Sequence, residues 1–77
     1  MSLGDTIRIT REKAFYTQEG FAKELKVALS TVNRWELDKV RPSMKAIKSI
    51  KAFCEEKGLS YELIEKEWLK ASLAGKK

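Results

Sequence analysis

One proline, Pro42, and four glycines in 77 residues leave the chain few places to break. Its β-branched residues are too scattered to alternate with period two over the length of a strand. The sequence therefore predicts an all-α fold, a compact bundle of five short helices. A hydrophobic core divided between two modules of this length would be too thin for either to fold, so residues 1–77 are expected to form one domain. With 43% hydrophobic and 35% charged residues, the composition is that of a globular protein with a well-solvated surface and not of a disordered tail.

The first helix is expected to begin after Asp5 or Thr6, either of which can cap it, and to end near Phe15. It carries Ile7, Arg11 and Ala14 at helical spacing, with Ile9 beside them. Met1-Ser2-Leu3-Gly4 reads in part as an appendage foreign to the domain. Thr17 caps a second helix over 18–25, in which Phe21, Ala22 and Leu25 share a face. A third runs over 29–36, and a loop from Leu37 to Arg41 leads to Pro42. Pro42 or Ser43 opens a fourth helix, with Met44, Ile47, Ile50 and Cys54 as its apolar stripe, Phe53 alongside, and Lys45, Lys48 and Lys51 facing water. Gly58 ends it. Ser60 caps a fifth helix over about 60–73, with Ile64, Trp68 and Ala71 on one face and Leu63 and Leu69 widening that face. Gly75-Lys76-Lys77 is expected to fray.

Charge narrows the class of partner. The net charge is +5 and the pI about 9.5. Residues 1–54 hold eleven Lys/Arg against six Asp/Glu, and residues 55–77 hold five of each, so all the excess lies in the first two thirds. Such a balance favours a polyanion. With no histidine and a lone cysteine, Cys54, histidine-based triads, structural zinc sites and disulfide scaffolds are excluded, no cofactor is implied, and the chain suits a reducing cytoplasm. No apolar run approaches the roughly 20 residues that span a bilayer.

Two short helices separated by about three residues, a small residue in the first and an aliphatic one in the second, are the sequence form of a helix-turn-helix. T-Q-E-G-F-A-K-E-L-K-V-A-L-S-T-V-N-R-W-E, residues 17–36, has that form. Ala22 is small where the helices cross. At about 100° per residue, Val32 and Trp35 point one way and Ser30, Asn33 and Arg34 the other, with Leu29 at the border and Thr31 at the packing boundary. One face packs; the opposite face is polar and free to read.

These residues resemble the phage repressor and Cro family, the xenobiotic-response-element type of helix-turn-helix regulator. The resemblance extends from about Ile7 to Phe53. It rests on Arg11, T-Q followed by F-A, L-K-V at the turn, S-T-V-N-R-W-E and the proline soon after. It implies a lambda repressor-like fold that binds double-stranded DNA, usually as a homodimer on two-fold operators with half-sites about 10 base pairs apart. Gln18 matches a residue that grips a DNA phosphate from a helix N-terminus. Leu29, Ser30 and Arg34 match positions that look into the major groove, with Thr31 and Asn33 as further readers. Lys39, Arg41, Ser43 and Lys45 match the phosphate-holding loop and helix start. Arg11 and Glu36 match a structural ion pair. Lys26 stands where the turn often has glycine, Ala28 replaces the usual serine or threonine cap, Asp38 replaces a common glycine, and Leu29 is apolar where a polar reader is frequent. Leu29 therefore suits a thymine methyl.

Trp35 and Trp68 read as core residues, since single-strand binding needs a row of exposed aromatics, and Phe15, Tyr16, Phe21 and Phe53 fall at apolar helical positions. Cys54 reads as a small buried apolar residue. Ile64 and Trp68 are candidates either for closing the core or for a two-fold contact. The leading expectation is a sequence-specific transcriptional regulator of repressor type, with a DNA-reading core over about 6–57. The alternative is a DNA-targeting or antitoxin-type module acting with a separate partner, against which the lack of a long acidic tail counts. A small enzyme finds no metal ligands or phosphate-binding glycine loop to support it.

Overall fold

The computed structural model describes residues 1–74, and side chains as far as Ala71. Five helices follow in order: α1 Leu3–Lys13, α2 Gln18–Leu25, α3 Leu29–Glu36, α4 Met44–Lys57 and α5 Glu62–Ala74. No strand occurs among the described residues. The expectation for Gly75-Lys76-Lys77 lies outside them.

The core joins all five helices. Ile7 of α1, Phe21 of α2, Val32 of α3, Ile50 and Cys54 of α4 and Ile64 of α5 are each at most 1% exposed. Phe53 forms T-shaped pairs with two rings, Tyr16 at 5.2 Å and Phe21 at 5.0 Å between centroids, both interplanar angles 81°. The Phe21–Phe53 pair joins α2 to α4, and Tyr16 ties the segment before α2 to the same ring. α1 packs against both α3 and α5, so the fifth helix closes the side of the bundle away from α2.

The first helix starts earlier than the periodicity implied. Ser2 caps it, its Oγ accepting from the Asp5 N–H at 3.1 Å while the Asp5 carboxylate accepts from the Ser2 N–H at 3.2 Å. This is a capping box, and Leu3 behind it is buried at 8% exposure. Ser2, Leu3 and Gly4 therefore belong to the fold. The Ser2 backbone N–H, then its hydroxyl, and Arg8 after them hold the Asp5 carboxyl below its usual value of 3.8. A depressed folded-state pKa adds stability above the unfolded value and loses it as pH falls through the folded one. Asp5→Asn should therefore be less stable than the wild type at neutral pH, and the difference should close below about pH 4. Urea titrations at several pH values check this.

Four helices end in the same way. In each, a residue in the left-handed region reverses the chain, and the next N–H bonds back to a carbonyl five residues earlier: Tyr16 to Arg11, Val27 to Ala22, Lys39 to Arg34 and Leu59 to Cys54, at 2.8–3.1 Å. This is the Schellman arrangement. Only the last reversal uses glycine, Gly58; the others are Phe15, Lys26 and Asp38 at φ 61°, 60° and 59°. Phe15 thus lies beyond α1 and is 96% exposed, because the reversal swings its side chain outward. It is not in the core as its apolar character implied. Met44, at the first position of α4, is 61% exposed and leaves that helix's stripe, and Leu63 and Leu69 of α5 stand 57% and 48% exposed. Ser43, not Pro42, caps α4, accepting from the Ala46 N–H at 3.2 Å, with Pro42 buried one residue earlier.

Candidate nucleic-acid interface

The turn between α2 and α3 brings a polar helix face to the surface. Lys26 takes the left-handed conformation there and Ala28 begins α3 with no side-chain cap. A lysine at this reversal carries strain of about 1–2 kcal/mol that glycine avoids, partly offset by glycine's freer unfolded chain. Lys26→Gly should raise stability by about 0.5–1 kcal/mol, seen as a melting temperature higher by about 2–8 °C. Asp38→Gly should not, because the Asp38 carboxylate accepts from the Gly4 N–H at 2.9 Å and would be lost.

α3 divides along its length. Val32 and Trp35 are 0% and 3% exposed and packed in the core, while Leu29 stands 48% exposed and Ser30, Asn33 and Arg34 face solvent. Thr31 is half-buried between the two faces. Among the described residues, Arg34, Lys39, Arg41 and Lys45 make no ion pair.

One carboxylate organises the start of α2 against the end of α3. Glu36 accepts from Arg11 Nε at 2.7 Å and Nη2 at 3.1 Å, and Arg11 Nη1 donates to the Tyr16 carbonyl at 2.8 Å. The side chains are 11% and 4% exposed. The hydrogen bonds to Glu36 raise the guanidinium's already high pKa, against a smaller opposing effect of burial. Gln18 Nε2 also donates to Glu36, at 2.9 Å, and Gln18 Oε1 accepts from Asn33 at 3.5 Å. Gln18 is thus held at the N-terminus of α2 with one of its two amide hydrogens committed. Thr17 caps that helix through the Gly20 N–H, and the first-turn N–H groups left over by helix geometry point outward beside Gln18.

The loop from Leu37 to Arg41 ends at a second helix start. Ser43 Oγ is committed to its cap, so what α4 offers outward is the N–H groups of Met44 and Lys45, which have no partner inside the helix. Arg41 lies with its guanidinium carbon 4.7 Å from the Trp68 ring centroid, and Trp68 Nε1 donates to the Pro42 carbonyl at 2.8 Å. Ile64 is 1% exposed within its own chain, so its side chain closes the core and leaves almost nothing for a second subunit. Trp68 is half-buried against the loop.

Three of these contacts escape sequence reading: Asp38 with Gly4, Gln18 with Glu36, and Arg41 with Trp68. Their partners lie 34, 18 and 27 residues apart, and no local periodicity couples them. The tight approach of Gly4 to α3 leaves a signal only in hindsight: a β-carbon there would stand 2.6 Å from the carbonyl oxygens of Trp35 and Glu36.

Two short helices packed together across a tight turn, the second with one face packed and the other bare, define a helix-turn-helix domain of all-α fold. The helix-turn-helix family matches residues 7–55, and the chain belongs to it, in its phage repressor and Cro type. That family is one of DNA-binding domains. No match was found among curated proteins or solved structures. No helix among the described residues is long and apolar enough to cross a membrane.

Proposed function

We propose that the chain is a sequence-specific regulator of repressor type that reads the major groove of double-stranded DNA with α3. The observation that carries this reading is the division of α3: Val32 and Trp35 anchor the helix, so Ser30, Asn33 and Arg34 stand out together on one rigid surface. Arg34 suits bidentate donation to guanine, and Leu29 suits a thymine methyl. Ser30, Thr31 and Asn33 complete the reading set. Gln18 and the α2 start grip one phosphate; Lys39, Arg41, Lys45 and the α4 start around Ser43 grip the next stretch of the same backbone. The protein acts as a homodimer in the cytoplasm, on half-sites about 10 base pairs apart. It works without a cofactor or catalysis.

Selection of sites from a random duplex library, followed by footprinting, tests the reading. A short enriched sequence protected in two half-sites is expected; no enrichment over random duplex would refute sequence-specific binding. Lys39→Ala should weaken all duplexes alike and reduce the slope of log affinity against log salt by about one. Binding measured across a salt series checks it.

A further inference from the structure

The segment matched to the family ends at residue 55, yet a residue of α5 touches the loop assigned to phosphate binding. We propose that Trp68 is a positioning residue for Arg41 and the start of α4, so that the fifth helix sets the phosphate-binding edge of the DNA surface. This rests on the reading of Arg41 as a phosphate contact.

Trp68 uses both parts of its side chain. The ring face holds the Arg41 guanidinium at 4.7 Å, and the indole N–H holds the Pro42 carbonyl at 2.8 Å. Arg41 remains exposed. A guanidinium held over an aromatic face is fixed by its charge, and no Arg41 N–H donor is paired with a protein acceptor among the described residues. The contact therefore confines the group while leaving its donors for a phosphate, and it removes part of the rotamer entropy that a free arginine loses on binding. The bond to Pro42 acts one residue before the Ser43 cap, and so fixes the direction in which α4 presents its first N–H groups. α5 is itself anchored by Ile64, at 1% exposure one turn before Trp68, so the ring is a fixed platform.

The test compares Trp68→Phe, which keeps a ring face, with Trp68→Leu, which does not, each with Arg41 and with Arg41→Ala. Duplex affinity is read for the full chain after circular dichroism shows each variant folded. With Arg41 present, the leucine variant should bind roughly three- to tenfold more weakly than the phenylalanine variant; with Arg41→Ala the two should bind alike. Equal phenylalanine and leucine affinities with Arg41 present, or the same gap in both backgrounds, would overturn the proposal while leaving the DNA reading intact. Should Arg41→Ala alone change neither affinity nor salt slope, the phosphate assignment of Arg41 falls and takes the proposal with it. A measurement on the wild type guards against a variant that does not fold. The Arg41 δ protons should be shifted upfield by the indole ring, both free and on duplex, and their absence from the ring current in either state would overturn the proposal.

Discussion

Arg11→Ala is expected to cost about 3 kcal/mol of folding stability, the low end of the range for a broken buried ion pair, because the arginine keeps 11% of its side chain exposed. The loss does not stop at one bond. Glu36, 4% exposed, loses two of its three donors and keeps only Gln18, and the Tyr16 carbonyl loses its guanidinium partner. A carboxylate left so poorly paired in the interior bears most of its desolvation uncompensated. For a domain of this size the total stability is on the order of 5–10 kcal/mol, so the variant should stay folded at ambient temperature with about 2–7 kcal/mol left and a clearly lowered melting temperature. Urea denaturation gives the number. Adding Glu36→Ala should recover part of the loss by removing the stranded charge, and a single-variant cost below about 1 kcal/mol would show that the pair contributes little. Relative preference among duplex sequences should be unchanged, since neither residue lies on the exposed face of α3 proposed to read DNA.

Arg34→Ala should behave in the opposite way. Its side chain is exposed and makes no ion pair among the described residues, so stability should stay within about 0.5 kcal/mol of the wild type. Affinity for the best site should fall by about 1–3 kcal/mol, with discrimination relaxed at one base position, if the guanidinium forms two hydrogen bonds with guanine. Fluorescence anisotropy on the selected site and on single-base variants separates the outcomes. An equal loss on selected and random duplex would assign Arg34 to phosphate instead.

The helix-turn-helix was legible because its evidence is local. The spacing of Val32 and Trp35 against Ser30, Asn33 and Arg34 is a 3.6-residue pattern that survives folding unchanged. Phe21, Ala22 and Leu25, and Ile47, Ile50 and Cys54, followed the same logic into the core. The misreadings share another cause. Phe15 and Met44 are apolar residues at helix boundaries, where the chain's reversal or the first turn, not the period, decides which way a side chain points. Ser2 escapes sequence reading because its partner in the capping box is the aspartate at position 5, a residue that reads equally well as a cap itself. Gln18 could be placed at a helix start from sequence, but its bond to Glu36 depends on how three helices meet, which no single-helix argument reaches.

The two-sided character of α3 also bears on how such a protein can change. Its inward residues are held by the core, whereas on the outward side the only side-chain hydrogen bond among the described residues is the long one from Asn33 to Gln18, at 3.5 Å. Ser30 and Arg34 can be exchanged for other side chains with almost no penalty in folding, so variation at these positions is exposed to selection for what it touches outside the molecule and hardly at all for what it supports within. A lineage built on this scaffold could acquire new target sequences one substitution at a time without first accumulating stabilising changes elsewhere. If Ser30 and Arg34 read DNA as proposed, the same freedom makes those two positions the natural place to randomise when a library of altered specificities is wanted.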